Sequence, residues 1–174
     1  MRRSVFVTGG ARSGKSGFAV RLAEETGLKL YYIATATAGD PEMEKRIARH
    51  RELRDERWST VEEPLDPAGA LSRFGAGDAA VVDCLTLWTT NLMMKSGGDD
   101  FEAATRAKAL ELADAVKEFR GTVIVVTNEV GLGIVPENRD ARLFRDAAGT
   151  VNRLVAEAAD EAYLVVSGLP VKIK

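Results

Sequence analysis

Gly9-Gly10-Ala11-Arg12-Ser13-Gly14-Lys15-Ser16 is the stretch on which the fold turns. It fits G-x-x-x-x-G-K-[ST] without a mismatch. It lies between a short apolar strand pattern, Ser4 to Thr8, and a helical pattern that begins at Lys15. In that strand-to-helix context it reads as a phosphate-binding loop. The glycines let the backbone turn its N–H groups around a nucleoside triphosphate. Lys15 reaches toward the terminal phosphates, Ser16 offers a hydroxyl to Mg²⁺, and the helix N-terminus adds a favourable dipole. The competing reading, a glycine-rich turn of purely structural purpose, requires every constrained position to coincide by chance in the right context.

Outward from this loop, strand and helix patterns alternate. Lys15 to Glu25 is a helix ending near Gly27, Lys29 to Ile33 a strand, and Pro41 to Trp58 a helix. A short helical piece spans Pro67 to Phe74. Ala79 to Cys84 is apolar enough to be buried on both faces, as parallel strands are. Leu85 to Met94 and Phe101 to Phe119 read as helices, separated by Ser96-Gly97-Gly98-Asp99-Asp100. Thr122 to Thr127 is another apolar strand, Arg139 to Ala159 a long helix and Glu161 to Ser167 a last long strand. The alternating tail Val171 to Lys174 turns back at Gly168-Leu169-Pro170 to make one antiparallel edge. The expectation is an α/β fold: an open, mostly parallel sheet with helices on both faces and the ligand at the carboxyl ends of the strands.

Bulk properties bound the rest. A chain of 174 residues is one domain with a sizeable core, and 45% hydrophobic with 29% charged residues is ordinary globular composition. No apolar stretch approaches the ~20 residues of a membrane span, and no apolar leader precedes the first strand, so a cytoplasmic protein is expected. The 24 basic and 26 acidic residues leave a formal charge of −2, which gives no global field for nucleic acid. The lone cysteine, Cys84, has no internal partner and reads as a packed thiol in a reducing compartment.

Two side chains stand out. Asp83 ends an apolar strand downstream of the loop, where folds of this type place a carboxylate for Mg²⁺; otherwise it is a strand-end Asp capping the next helix. His50, the single histidine, sits in an arginine-rich stretch. At about 100° per residue, Met43, Arg46, Ile47, His50, Arg54 and Arg57 share one helical face, with Glu44, Glu52, Asp55 and Glu56 elsewhere. That face suits an anion such as a triphosphate, and the arginines would stabilise charge developing on an attacked phosphate. From residue chemistry alone His50 is either a nucleophile toward phosphorus or a histidine that merely touches phosphate or solvent. Ile33 to Thr37 leaves the second strand with small and hydroxyl-bearing residues suited to close ligand approach. Thr127 to Arg139 is either a mobile loop beside the nucleotide or a structural crossover.

Taken together, these residues resemble the bifunctional adenosylcobinamide kinase / adenosylcobinamide-phosphate guanylyltransferase family of cobalamin biosynthesis. The resemblance runs through Val7 to Ser16, Tyr32-Ile33-Ala34-Thr35, Arg46-Ile47 to His50-Arg51 and on to Trp58, and Glu62-Glu63-Pro64. It continues in Thr127 to Arg139 and Val165 to Lys172. It implies a single P-loop nucleotide-binding domain of RecA-like type over residues 1–174 and a homo-oligomer, a trimer. It also implies two transfers. The first moves a phosphoryl group from ATP or GTP to adenosylcobinamide. The second moves GMP from GTP through a histidine to adenosylcobinamide phosphate, releasing pyrophosphate.

The guanylylated histidine of the family falls on His50, with Lys15 as the second catalytic residue. Gly9, Gly10, Ala11, Arg12, Ser13, Gly14, Lys15, Ser16, Ala34, Thr35, Ala36, Arg51, Glu52, Leu53, Arg54, Glu62 and Asp83 fall on nucleotide-contacting positions, and Ser16 and Asp83 on Mg²⁺. Asp83 stands where some relatives carry Glu, a change of reach rather than of role.

A plain small-molecule kinase and a non-enzymatic nucleotide switch are the rivals. The absence of an N-K-x-D guanine signature argues against a Ras-like switch, and the balanced charge against a DNA-bound ATPase.

Overall fold

Strands that are apolar on both faces have to be covered on both faces, and helices between parallel strands supply the cover. The computed structural model describes residues 2–52, 54–96 and 100–174. It runs β1 (Arg3–Gly9), α1 (Lys15–Glu24), β2 (Lys29–Ala34), α2 (Pro41–Glu52), β3 (Trp58–Glu62), α3 (Pro67–Leu71), β4 (Asp78–Asp83), α4 (Leu85–Ser96), α5 (Phe101–Glu118), β5 (Thr122–Val126), α6 (Arg139–Ala158), β6 (Glu161–Val166) and β7 (Leu169–Lys172). The sheet order is β3-β2-β4-β5-β1-β6-β7. Every neighbouring pair is parallel except β6 with β7, the expected antiparallel edge.

Residue alternation splits the interior into two cores. Val5 and Val7 of β1, Ala79 and Val81 of β4 and Ile124 and Val126 of β5 pack with Val20 and Ala23 of α1. Their neighbours Phe6, Ala80, Val82, Val123 and Val125 face the other way, against Trp88 of α4, Leu112 and Val116 of α5 and Val151 of α6. Each large side chain so buried contributes about 1.5–3 kcal/mol relative to exposure. The helix α2 belongs to neither core and has no buried residue, so polar contacts must hold it in place.

The sequence pattern carried one helix from Pro41 to Trp58; in the structure it stops at Glu52, and Trp58 opens β3. Trp58 is buried, pairs with Leu30 of β2, and donates its indole N–H to Glu24 at 3.2 Å. The charged run to Arg57 has good helix formers, but burying the Trp58 ring and adding a strand at the sheet edge outweigh that weak local preference. Leu53 and, in the Ser96 to Asp100 break, Gly97, Gly98 and Asp99 lie outside the described residues. Among those described, no helix is long and apolar enough to cross a membrane.

Candidate active site

Parallel register lines up the strand ends. Ala34 is paired with both Glu62 and Asp83, Asp83 with Val126, and Val126 with Val7, two residues before Gly9. The carboxyl ends of β3, β2, β4, β5 and β1 therefore form one rim, and the loops that leave it carry the residues singled out from the sequence.

The phosphate loop leaves β1 at Gly9, where a Cβ would run into the Val165 carbonyl oxygen and stand 2.8 Å from Ser13 Oγ. Only glycine fits there. Gly14, the residue before α1, has φ 93°, a left-handed conformation natural to glycine, and gives α1 no side-chain cap. The N–H groups of the first turn of α1 are thus left to an anion. The hairpin turn braces the loop from outside: Gly168 N–H donates to the Ser13 carbonyl at 2.8 Å. Lys15 is buried, with Nζ donating to the Gly10 carbonyl at 3.0 Å. Burial draws its ammonium below the ordinary lysine value, opposed by the nearby Asp83 charge.

Asp83 is the hub of the site. Its Oδ2 accepts the Tyr32 hydroxyl at 2.5 Å and lies 3.4 Å from His50 Nδ1, and Ser16 of the loop is near enough to help hold the carboxyl in its charged form. Burial works against the charge, but the contacts from His50, Tyr32 and Ser16 outweigh it, and the carboxyl sits below its ordinary value. Burial, with the Asp83 charge, pushes the Tyr32 phenol well above its ordinary value, so it serves as a hydrogen-bond donor. At 3.4 Å the His50–Asp83 approach is an ion-pair distance, longer than the usual N–H···O hydrogen bond.

His50 lies in the last turn of α2, with nearly half its side chain open to solvent. Two of the residues expected around it are found nearby. Arg54 donates to the His50 carbonyl at 2.7 Å and stacks 3.6 Å above the Tyr32 ring, while Arg51 pairs with Glu62 at 2.6 Å. The continuous arginine face is corrected: beyond Glu52 the helical phase is lost, and Arg57 turns away to pair with Asp55 and Glu24. A carboxylate from outside the helix, Asp83 of β4, approaches the imidazole instead of any acid of α2. Glu52 is exposed at the helix end.

Of the segment after β2, Ala34 and Ala36 are half-buried, while Thr35 is fully buried and ties β2 to β4. The Thr35 hydroxyl donates to the Cys84 carbonyl and accepts from the Cys84 N–H, both at 2.8 Å. Cys84 is buried, and burial pushes its thiol up to about 12, which leaves it inert. Sequence reasoning missed Tyr32 as a site residue and a polar chain at the end of β5. Asn128 N–H donates to Thr86 Oγ1 at 2.9 Å, and Thr127 Oγ1 donates to Asn152 Oδ1 at 2.8 Å. Tyr32 stands opposite Val81 of β4, two residues before the level of Asp83, and nothing in the local sequence pattern marks it as a site residue.

Among the described residues no group of three or more His, Cys, Asp or Glu side chains could hold a metal by itself. Mg²⁺ rarely uses such a cage; one carboxylate together with substrate phosphates and water is its usual set. The Asp83 carboxylate and the Ser16 hydroxyl, near one another beside the phosphate loop, fit that set.

Residues 5–173 match the family model described as cobinamide kinase / cobinamide phosphate guanyltransferase. The bifunctional adenosylcobalamin biosynthesis protein CobP of Pseudomonas aeruginosa is 45% identical, with 97% of this chain and 95% of that protein covered. The corresponding protein CobU of Escherichia coli is 44% identical, with 98% and 99% covered. Among solved structures, an ATPase domain superposes with a TM-score of 0.53 at 14% identity, covering 94% of this chain and 69% of that one. A KaiC-like protein from Pyrococcus horikoshii gives 0.51 at 16% identity, covering 93% and 70%. These remote likenesses concern the fold, a P-loop ATPase architecture of RecA-like type.

Proposed function

Because the chain belongs to the cobinamide kinase / cobinamide phosphate guanyltransferase family, and is thus a transferase of cobalamin biosynthesis, we propose that it performs two successive transfers with His50 as the covalent relay of the second. In the first, the hydroxyl of adenosylcobinamide attacks the γ-phosphorus of ATP or GTP, loses its proton and displaces the nucleoside diphosphate. In the second, a ring nitrogen of His50 attacks the α-phosphorus of GTP, the N–P bond forms and pyrophosphate leaves. The phosphate of adenosylcobinamide phosphate then attacks the guanylyl phosphorus, the N–P bond breaks, and adenosylcobinamide-GDP is released.

The observation that carries this reading is that one carboxylate, Asp83, lies 3.4 Å from His50 Nδ1 and ends β4 on the same strand-end rim from which the phosphate loop leaves β1. That neighbourhood supports placing the nucleophile and the triphosphate cradle in one site. Lys15 and the loop N–H groups would neutralise the phosphates, while Arg54, which donates to the His50 carbonyl, and Arg51, next to His50 on the chain and now paired with Glu62, would meet charge spreading onto the attacked phosphate. Mg²⁺, held by Ser16 and Asp83, would supply further neutralisation of the triphosphate when bound. The two substrates, the metal and a multimeric assembly belong to this reading, as does a reducing cytoplasm, with which a single buried cysteine agrees.

GTP labelled at the α-phosphate tests it. The expected result is an acid-labile, alkali-stable protein adduct whose label moves to product when adenosylcobinamide phosphate is added. Labelled corrinoid product formed with no protein adduct at any time would replace the relay with direct transfer.

A further inference from the structure

Nothing in the hydrophobic interior fixes the position of His50. The helix that bears it has no buried residue, so the ring is aimed by the polar groups around it. Those groups converge on Tyr32. This residue is buried in β2, where its backbone partner is Val81, and the Trp58 ring meets it edge-on at 6.1 Å and 79°. Its hydroxyl donates at 2.5 Å to Asp83 Oδ2, the oxygen that His50 Nδ1 faces at 3.4 Å. Its ring supports the Arg54 guanidinium at 3.6 Å, and Arg54 in turn donates to the His50 carbonyl at 2.7 Å. One rigid phenol thus holds both the carboxylate in front of the imidazole and the guanidinium that grips its backbone.

We propose that Tyr32 is a positioning residue: through Asp83 it fixes the His50 ring with the proton on Nδ1, so that Nε2 is the nitrogen presented to the α-phosphorus. The inference rests on the guanylyl-histidine reading above. An ionised carboxylate can only accept, so the nitrogen that faces it carries hydrogen and the other keeps its lone pair. A carboxylate oxygen bound by a buried phenol has little freedom to swing, and the Nδ1–H direction is fixed with it. The electron balance agrees. Attack by Nε2 forms the Nε2–P bond as the electrons of the Pα–O bond leave with pyrophosphate. The resulting N-guanylyl imidazolium keeps its proton on Nδ1, directed at the Asp83 carboxylate. When the acceptor phosphate displaces Nε2, the pair returns to the ring and no proton has had to move.

His50 is the only histidine, so protein grown with ¹⁵N-histidine reports one imidazole. In the neutral ring of the wild type, Nδ1 is expected to be the protonated nitrogen and Nε2 the lone-pair nitrogen. After reaction with GTP, the ³¹P–¹⁵N coupling should fall on Nε2. In Tyr32→Phe the tautomers should mix, and the single-turnover rate of adduct formation should fall about 10–100-fold, with little change in half-saturating GTP. A proton on Nε2 in the wild type, phosphorus coupled to Nδ1, or a Tyr32→Phe protein with wild-type tautomer and rate would each overturn the proposal. The wild-type spectra decide it even if the variant folds poorly. A wild-type protein with the expected tautomer but no phosphorus on the ring would instead remove the relay and leave the positioning of His50 standing.

Discussion

His50 Nδ1 lies 3.4 Å from Asp83 Oδ2, joining the exposed end of α2 to the buried end of β4. Replacing His50 by Ala should therefore abolish the α-labelled adduct and the GMP transfer that depends on it. The fold should hardly respond, because the helix buries nothing: a stability change within about 0.5 kcal/mol is expected for such a surface position. Adduct assays beside urea unfolding of the same preparation check both halves, and an adduct that survives in the variant sinks the assignment.

Asp83 is asked to do more than His50. Its carboxylate accepts from Tyr32, lies 3.4 Å from His50 and stands near Ser16, so Asp83→Asn should depress both transfers, by about 100-fold or more for adduct formation. It should also raise the Mg²⁺ concentration needed for half-maximal rate. Asp83→Glu keeps the charge with a longer reach and should retain much more activity than the amide. Rate measured against Mg²⁺ for the three proteins checks this. Equal metal dependence in wild type and Asp83→Asn would take Asp83 out of the metal role.

Much of this arrangement was legible in the chain, for physical reasons that differ by residue. The loop from Gly9 to Ser16 reads from sequence because its shape tolerates few side chains, as the overlap between a Gly9 Cβ and the Val165 oxygen shows. Asp83 reads because a charge at the end of a run buried on both faces is costly unless used. The path after Glu52 was not legible: Ser59, Thr60 and Val61 favour a strand, but only the partner strand β2 decides between that and continuing a charged helix. Tyr32 escaped for the same reason. Its role exists only because the register sets β2 beside β4, a pairing between segments that local pattern does not encode.

Gly9→Ala tests the tightness of the cradle. A methyl pressed into the Val165 backbone oxygen cannot be relieved by a rotamer change, since the oxygen belongs to β6, the strand paired with β1. Overpacking of this kind costs about 1–3 kcal/mol, and the shift it forces would move the N–H groups that face the phosphates. Both thermal stability and affinity for GTP should fall. Gly10→Ala, whose Cβ would meet nothing within 4 Å, is the control and should change stability little. Similar behaviour of the two variants would show that the loop is looser than this geometry.

Far from the site, at the other end of the sheet, Glu161 offers a pH signature of the fold. It accepts from Arg3 at 2.6 Å, Tyr163 at 2.8 Å and Lys172 at 3.0 Å, tying β1, β6 and β7 together. The Arg3 hydrogen bond, above all, outweighs partial burial and pulls its carboxyl from 4.5 to about 2. Because the folded value lies below the unfolded one, the stabilisation is complete above about pH 4.5 and is lost as the pH falls toward 2. Solvent reaches part of this cluster, so the contribution at neutral pH is about 1–2 kcal/mol, below what the full shift would give. Glu161→Gln should be less stable than wild type by that amount at pH 7. By about pH 3 the gap should have shrunk to less than half, since the wild type loses its ion pairs while glutamine has nothing to titrate. Urea unfolding of both proteins across this range checks it: a gap that stays constant with pH would mean that glutamine loses packing and not charge.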